Sequence, residues 1–197
     1  MSTWMPNKFA AQEEEHKEKR LSLLICSVSE RAEKLERLLG VLINQLTNEV
    51  EILHLVDDGE MTIGEKRNEL LQSAAGEYCA FIDDDDMVSP DYVEKVLKAL
   101  ESGPDCATLT GIIYFQNGTS RMFDHSIEHD GWFTGDDGNY YRTPNHLNAI
   151  KTEIAQRFGF KPINSGEDLD FSKRIRIVLH KEVRIPGEIY YYYPSKA

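Results

Sequence analysis

Three times in its first hundred residues this chain alternates a short, apolar, β-rich run with a run of helical period. LSLLICSVS (21–29), VEILHLV (50–56) and EYCAFI (77–82) have the length and composition of buried strands. Between the first two, ERAEKLERLLGVLINQL puts Leu35, Leu38, Leu39, Leu42, Ile43 and Leu46 on one helical face. IGEKRNELLQSAA (63–75) predicts a second amphipathic helix, with Gly76 as its stop. After the third strand, Ser89 reads as an N-cap and Pro90 as the first residue of a helix over DYVEKVLKALES. This order dictates parallel pairing through right-handed crossovers, hence an open, mostly parallel α/β sheet flanked by helices. Ligands of such sheets bind beyond the carboxyl ends of the strands. Three polar strand ends meet there: SVSER, VDDGE and DDDDM.

The second half is less regular. CATLTGIIYF (106–115) predicts a strand, and residues 116–146, rich in Gly, Asp and aromatics, predict hairpin and loop. LNAIKTEIAQRFGF (147–160) and GEDLDFSKRIRIVL (166–179) read as helices, KEVRIP as a short strand, and YYYY (190–193) as a strand or core edge. Without repeats or a Pro- or Ser-rich linker, 197 residues fit a polar, charged lead-in over 1–20 and one domain over 21–197.

Several classes of partner and place are disfavoured. No apolar run reaches the ~18 residues that span a bilayer, and the first twenty residues lack the apolar stretch of a secretory signal. Cys26, Cys79 and Cys106 are odd in number and sit in apolar runs, as reduced core residues of a cytoplasmic protein would. The formal net charge of −12 opposes broad binding to nucleic acid or anionic lipid. The exception is the basic stretch Lys173–Arg184, which reads as a solvated helix face and strand edge but leaves a nucleic-acid acceptor conceivable.

The run FIDDDDM (81–87) sets the chemical question. Four adjacent carboxylates repel one another at the mouth of a buried strand, and a helix N-terminus accounts for one or two of them. A hard divalent cation, Mg²⁺ or Mn²⁺, accounts for the cluster better: it takes one or two carboxylates and fills its shell with water and phosphate oxygens.

GEKRNELLQSAAGEYCAFIDDDDMVSPDYVEKVLKAL resembles the nucleotide-sugar half of a family 2 glycosyltransferase with the GT-A fold. The likeness lies in a Lys/Arg-Asn helix, an A-x-G-x-Y approach to a strand, and Asp-x-Asp followed by a further Asp. LLICSVSER and EILHLVDDGE resemble that family's first two strands, and GEDLDFSKRI its Glu-Asp motif at a late helix. The resemblance implies a nucleotide-sugar half over 21–104 and an acceptor and catalytic half over 105–197. It puts Asp83 and Asp85 at the Asp-x-Asp positions, Asp85 on the metal and Asp83 on the ribose or a metal-bound water. Asp84 and Asp86 would support them or face the donor sugar, and Asp57 or Asp58 would read the base. Ser27 and Ser29 would touch the nucleoside, and Lys66 or Arg67 would approach the diphosphate or brace the acidic loop. Asp168 matches the catalytic base, with Glu167 beside it, and His146 a region that can contact donor phosphate or metal.

The implied reaction moves a sugar from a nucleoside-diphosphate sugar, UDP being the commonest family choice, to an acceptor hydroxyl by inverting single displacement. A cation offsets charge on the leaving diphosphate, and a carboxylate takes the acceptor's proton. Absence of C-terminal membrane helices favours a soluble acceptor over a lipid-linked one: a glycan, metabolite, protein or modified nucleic-acid base. Outside the resemblance, Ser165 and Asp168 also fit a helix capping box. His125 and His129, four apart, read as an exposed loop more readily than as metal ligands. Trp132, Tyr140 and Tyr141 could stack on a sugar or pack a loop. The alternatives are a Mg²⁺-dependent phosphoryl-transfer enzyme or phosphatase, in which GED has no task, and a nucleotide-sugar-binding protein without turnover.

Overall fold

The computed structural model describes residues 19–194, so the expected lead-in over 1–20 lies outside the described residues apart from its last two. The fold is mixed α/β, with a mostly parallel central sheet between helical layers. β1 (Leu21–Val28) pairs in parallel with β2 (Val50–Asp57) on one side and β3 (Tyr78–Phe81) on the other. Helices α1 (Ala32–Ile43), α2 (Ile63–Ser73) and α3 (Tyr92–Leu100) make the connections. Leu21, Leu23 and Ile25 face α1 and α3, through Leu38, Leu42, Tyr92 and Val96. Leu24 and Cys26, of opposite parity, face α2 and the later helices, through Leu70, Leu71, Phe160 and Phe171. The two-residue alternation of a strand thus feeds two cores from one segment. All three cysteines are buried and unpaired.

Beyond β3 the sheet becomes mixed. β5 (Cys106–Tyr114) carries β6 (Ser120–His125) antiparallel, and β8 (Tyr140–Arg142) follows β6 in parallel, with β7 (Phe133–Thr134) at the edge. β9 (Ala149–Lys151) wedges antiparallel between β3 and β5, and leads into α4 (Thr152–Phe158). The expected helix over 147–160 therefore loses its first turn to a strand, because Ile150 and Ala149 fill the seam between two buried neighbours. α5 (Glu167–Ile175) precedes β10 (Glu182–Tyr192), which runs parallel to β5 and also pairs with the two-residue β4 (Met87–Val88). KEVRIP and the tyrosine run are thus one strand, with irregular register between Arg184 and Tyr190.

Helix limits correct three further expectations. α1 ends at Ile43, so Leu46 falls beyond the helix, and Ile43 and Leu46 are both exposed. Gly76 does not stop α2, which ends at Ser73; a Cβ on Gly76 would lie 2.6 Å from the Ser22 amide nitrogen, so this glycine lets two backbones pass. Ser89 caps nothing: α3 starts at Tyr92, and the Ser89 hydroxyl donates to Asp91 instead. The working cap is Thr62 on α2, whose hydroxyl accepts from the Glu65 amide while Glu65 accepts from the Thr62 amide.

Candidate active site

The four aspartates form a turn at the end of β3, closed by the Asp86 amide donating to the Asp83 carbonyl at 3.1 Å. They are not equivalent. Asp84 and Asp86 are buried, whereas the side chains of Asp83 and Asp85 keep 34% and 12% exposure. Asp84 accepts from the Ser27 hydroxyl at 2.6 Å and from Arg31 at 2.9 Å, tying the turn to β1 and the start of α1. Asp86 accepts from the Tyr190 hydroxyl at 2.8 Å and the Tyr193 amide at 2.9 Å, tying it to β10. Burial, helped by the Asp83 charge, pushes the Asp86 carboxyl up to about 8. Burial also works against ionisation of Asp83, but the His146 imidazole at 3.4 Å and Arg67 at 3.1 Å prevail and hold it well below the usual carboxylate range. Asp85 lies 3.5 Å from both Arg31 and Lys34. The like charge is therefore distributed: two carboxylates are consumed by the scaffold, and two face the cleft beside cations.

On the β1 and β2 side of the turn lies a cavity of about 270 Å³, lined by Ser27, Arg31, Gly59, Lys66, Asp84 and Asn164 among others. Lys66 is buried, ion-paired to Asp57 and donating to the Ser27 carbonyl at 2.7 Å. Lys66 draws the Asp57 carboxyl below its ordinary value, and Asp57 accepts from the Met61 amide, fastening the loop after β2. Asp58 is exposed, and the Ser29 hydroxyl reaches the Asp57 carbonyl at 3.5 Å. Arg31, which the sequence reading did not single out, both lines this cavity and holds the turn. Its signal was position: it is the last residue of SVSER, the polar stretch that closes β1.

Across the turn is a smaller cavity of about 80 Å³, lined by Asp83, Arg142, Asn145, His146, Asp168 and Tyr192 among others. Gly166, at φ +80°, turns the chain into α5 and occupies the N-cap without any side-chain cap, so the Ser165–Asp168 capping box does not form. The next two residues then diverge. Glu167 is buried and paired with Arg67 at 2.6 Å, whereas Asp168 is half-buried and, among the described residues, forms no ion pair and accepts only from the Leu169 amide. Arg67 joins the halves of the site, bridging Glu167 and Asp83 between the rings of Phe81 and Phe160. His146 is positioned by its carbonyl, which accepts from the Phe81 amide at 2.8 Å, and its Nδ1 is buried without a partner.

Other candidates are used elsewhere. His125 is no loop residue: it ends β6, fully buried, with Nδ1 2.9 Å from the Asn148 side-chain amide oxygen Oδ1, and burial pushes it down to about 3. His129 bonds Asp124 at 2.8 Å, so the two histidines serve different partners. Trp132 donates to Ser172 at 3.2 Å and carries Arg142 on its ring, while Tyr141 stacks on Phe133. In the basic stretch, Arg174, Arg176 and Arg184 are paired to Asp170, Asp130 and Asp124. Among the described residues no three or more His, Cys, Asp or Glu side chains converge as a metal cage.

Both the sequence and the fold have relatives among known proteins. The sequence model of glycosyl transferase family 2 matches residues 62–162. The chain belongs to that family. EpsH of Bacillus subtilis (strain 168), named as a glycosyltransferase, is 30% identical over 83 residues, 42% of this chain and 23% of EpsH. The fold is of GT-A type and is similar to S. aureus TarS 1-349 in complex with UDP, at a TM-score of 0.66 and 18% identity over 89% of this chain and 61% of that one. TarS 1-349 in complex with UDP-GlcNAc gives 0.61 and 12%, over 90% and 59%. The chain thus spans about a quarter of EpsH and about three fifths of the TarS fragment. No helix among the described residues is long and apolar enough to cross a membrane.

Proposed function

We propose that this family 2 member transfers a hexosyl or pentosyl group from a nucleoside-diphosphate sugar to an acceptor hydroxyl, with inversion. The observation that carries the reading is Asp168: a carboxylate that forms no ion pair among the described residues, in one cavity with Asp83 and Arg142, across the acidic turn from the larger cavity. The base and ribose occupy the larger cavity, against Ser27, Ser29, Asp57 or Asp58, and Arg31. The sugar lies over Asp83, and an acceptor hydroxyl gives its proton to Asp168 while attacking the anomeric carbon from the face opposite the diphosphate. Glu167 serves as the buried anchor of Arg67, not as a second base.

Asp83 and Asp85 supply hard oxygen donors at the open positions of the turn, which suits Mn²⁺ or Mg²⁺ taking its other ligands from the diphosphate and water. When bound, such a cation neutralises charge on the leaving diphosphate. UDP is the favoured nucleotide, by analogy with the TarS complexes. The domain division at residue 104 follows the acidic turn and α3, and three buried thiols suit the cytoplasm. Thermal shift with UDP-, GDP-, TDP- and CDP-sugars, each with Mn²⁺, Mg²⁺ or EDTA, tests the reading. Stabilisation by one nucleotide in the presence of metal is expected. Flat melting curves with all four would overturn it and direct attention to phosphate esters.

A further inference from the structure

Arg142 stands apart from the other cations around the acidic turn. Arg31 is bonded to Asp84, Lys66 to Asp57, and Arg67 to Asp83 and Glu167. Arg142 ends β8 and lines the smaller cavity with Asp168, yet its guanidinium has no hydrogen-bond or ion-pair partner among the described residues. It rests on an apolar platform instead, 4.6 Å from the centroid of Trp132 and 5.9 Å from that of Tyr140. The platform is itself fixed: the Trp132 indole donates to Ser172, whose hydroxyl donates to the Pro144 carbonyl at 2.8 Å. A planar fork of five donors, held in place and left without an acceptor in a chain of net charge −12, is matched to a planar or tetrahedral oxyanion. Burial draws its pKa down and the Asp168 charge opposes this, so an arriving anion would complete what Asp168 begins. The remaining carboxylates of the cavity do not forbid an anion: Asp83 is balanced by Arg67 and His146, and Asp86 is hydrogen-bonded to Tyr190 and Tyr193.

We propose that Arg142 is a specificity determinant for the acceptor, recognising a carboxylate or phosphate close to the hydroxyl that Asp168 deprotonates. The inference rests on the nucleotide-sugar reading of the site. The anion is assigned to the acceptor because the donor's nucleotide lies on the far side of the turn, where Lys66 and Arg31 supply positive charge.

The test titrates glucose, glucuronate and glucose 6-phosphate into UDP-saturated protein, followed by NMR, with wild type, Arg142→Gln and Arg142→Lys compared and UDP affinity measured on the same samples. Wild type should prefer an anionic probe to glucose about ten- to a hundredfold, the usual worth of a charge-assisted hydrogen bond. Arg142→Gln should erase that preference without changing UDP affinity, and Arg142→Lys should keep part of it. The better of the two anions identifies the acceptor group as carboxylate or phosphate. An equal preference in wild type and Arg142→Gln, or none in either, overturns the proposal. So does an anion that merely competes with UDP, which would place it in the diphosphate site. Failure of UDP to bind any of the proteins would instead remove the nucleotide-sugar reading, whatever the anions do.

Discussion

The two sides of the acidic turn handle charge at the cleft in opposite ways. From β1 to α3, acids and bases at the cleft are matched almost one to one: Asp57 with Lys66, Asp83 with Arg67, Asp84 and Asp85 with Arg31. From β5 onward, Arg142 and Asp168, which line the smaller cavity together, form no ion pair among the described residues. A matched site is rigid before anything binds, whereas unmatched charges in a cavity await a ligand that supplies their partners. Under the proposed function, the first half would serve as a fixed receptor and the second as the reacting face.

The sharpest way to break that contrast is at Asp168. Asp168→Asn removes the proposed proton acceptor but keeps the shape, so kcat should fall by roughly 10²–10⁴-fold while donor affinity holds. Steady-state kinetics and donor titration on one preparation check both limbs. Equal loss of affinity and rate would make Asp168 part of the receptor.

Arg67 tests the matched half. Arg67→Met strands Glu167, buried with no other cation, and removes a partner of Asp83. A cost of about 3–5 kcal/mol is expected from breaking a buried pair, read from urea denaturation. Glu167→Gln in the Arg67→Met background should recover much of it, since the residual penalty is the stranded charge. Recovery would confirm that Glu167 belongs to the scaffold as the anchor of Arg67.

This division shows where the sequence could be read and where it could not. The three strand–helix units, the cleft at their carboxyl ends and the acidic run all follow from local periodicity and from charges adjacent in the chain. The roles of Glu167 and Asp168 do not, because the partner of Glu167 lies 100 residues away on α2. Nor does the unequal burial of four identical aspartates, which is decided by Ser27, Tyr190 and Tyr193 arriving from distant strands. β9 was hidden for a related reason: three residues carry no period, and only the gap between β3 and β5 makes Ala149–Lys151 extended.

His125 offers a third comparison, through pH. Its folded value is pushed down to about 3 from an ordinary 6.5, chiefly by burial. The unfolded chain therefore takes up this proton first, and stability from His125 is lost progressively as pH falls from 6.5 toward 3. The difference between the stability curves of wild type and His125→Leu should change between pH 6.5 and about 4.5, above the range where most carboxylates titrate. Parallel curves would mean that His125 takes up its proton over the same range in the folded and unfolded chain.

The smallest effect separates two helix starts that look alike in sequence. Thr62-x-x-Glu65 and Ser165-x-x-Asp168 both spell a capping box, but only the first is formed. Thr62→Ala should cost about 1 kcal/mol, because two amides of α2 lose a reciprocal arrangement. Ser165→Ala should stay within about 0.5 kcal/mol, since its exposed side chain caps nothing and Gly166 does the turning. Equal losses at the two sites would mean that Ser165 caps α5 and that Asp168 is held by its own helix start, which would restrict it as a base. A loss at Thr62 alone leaves Asp168 free to face the cavity, as deprotonation of an acceptor hydroxyl requires.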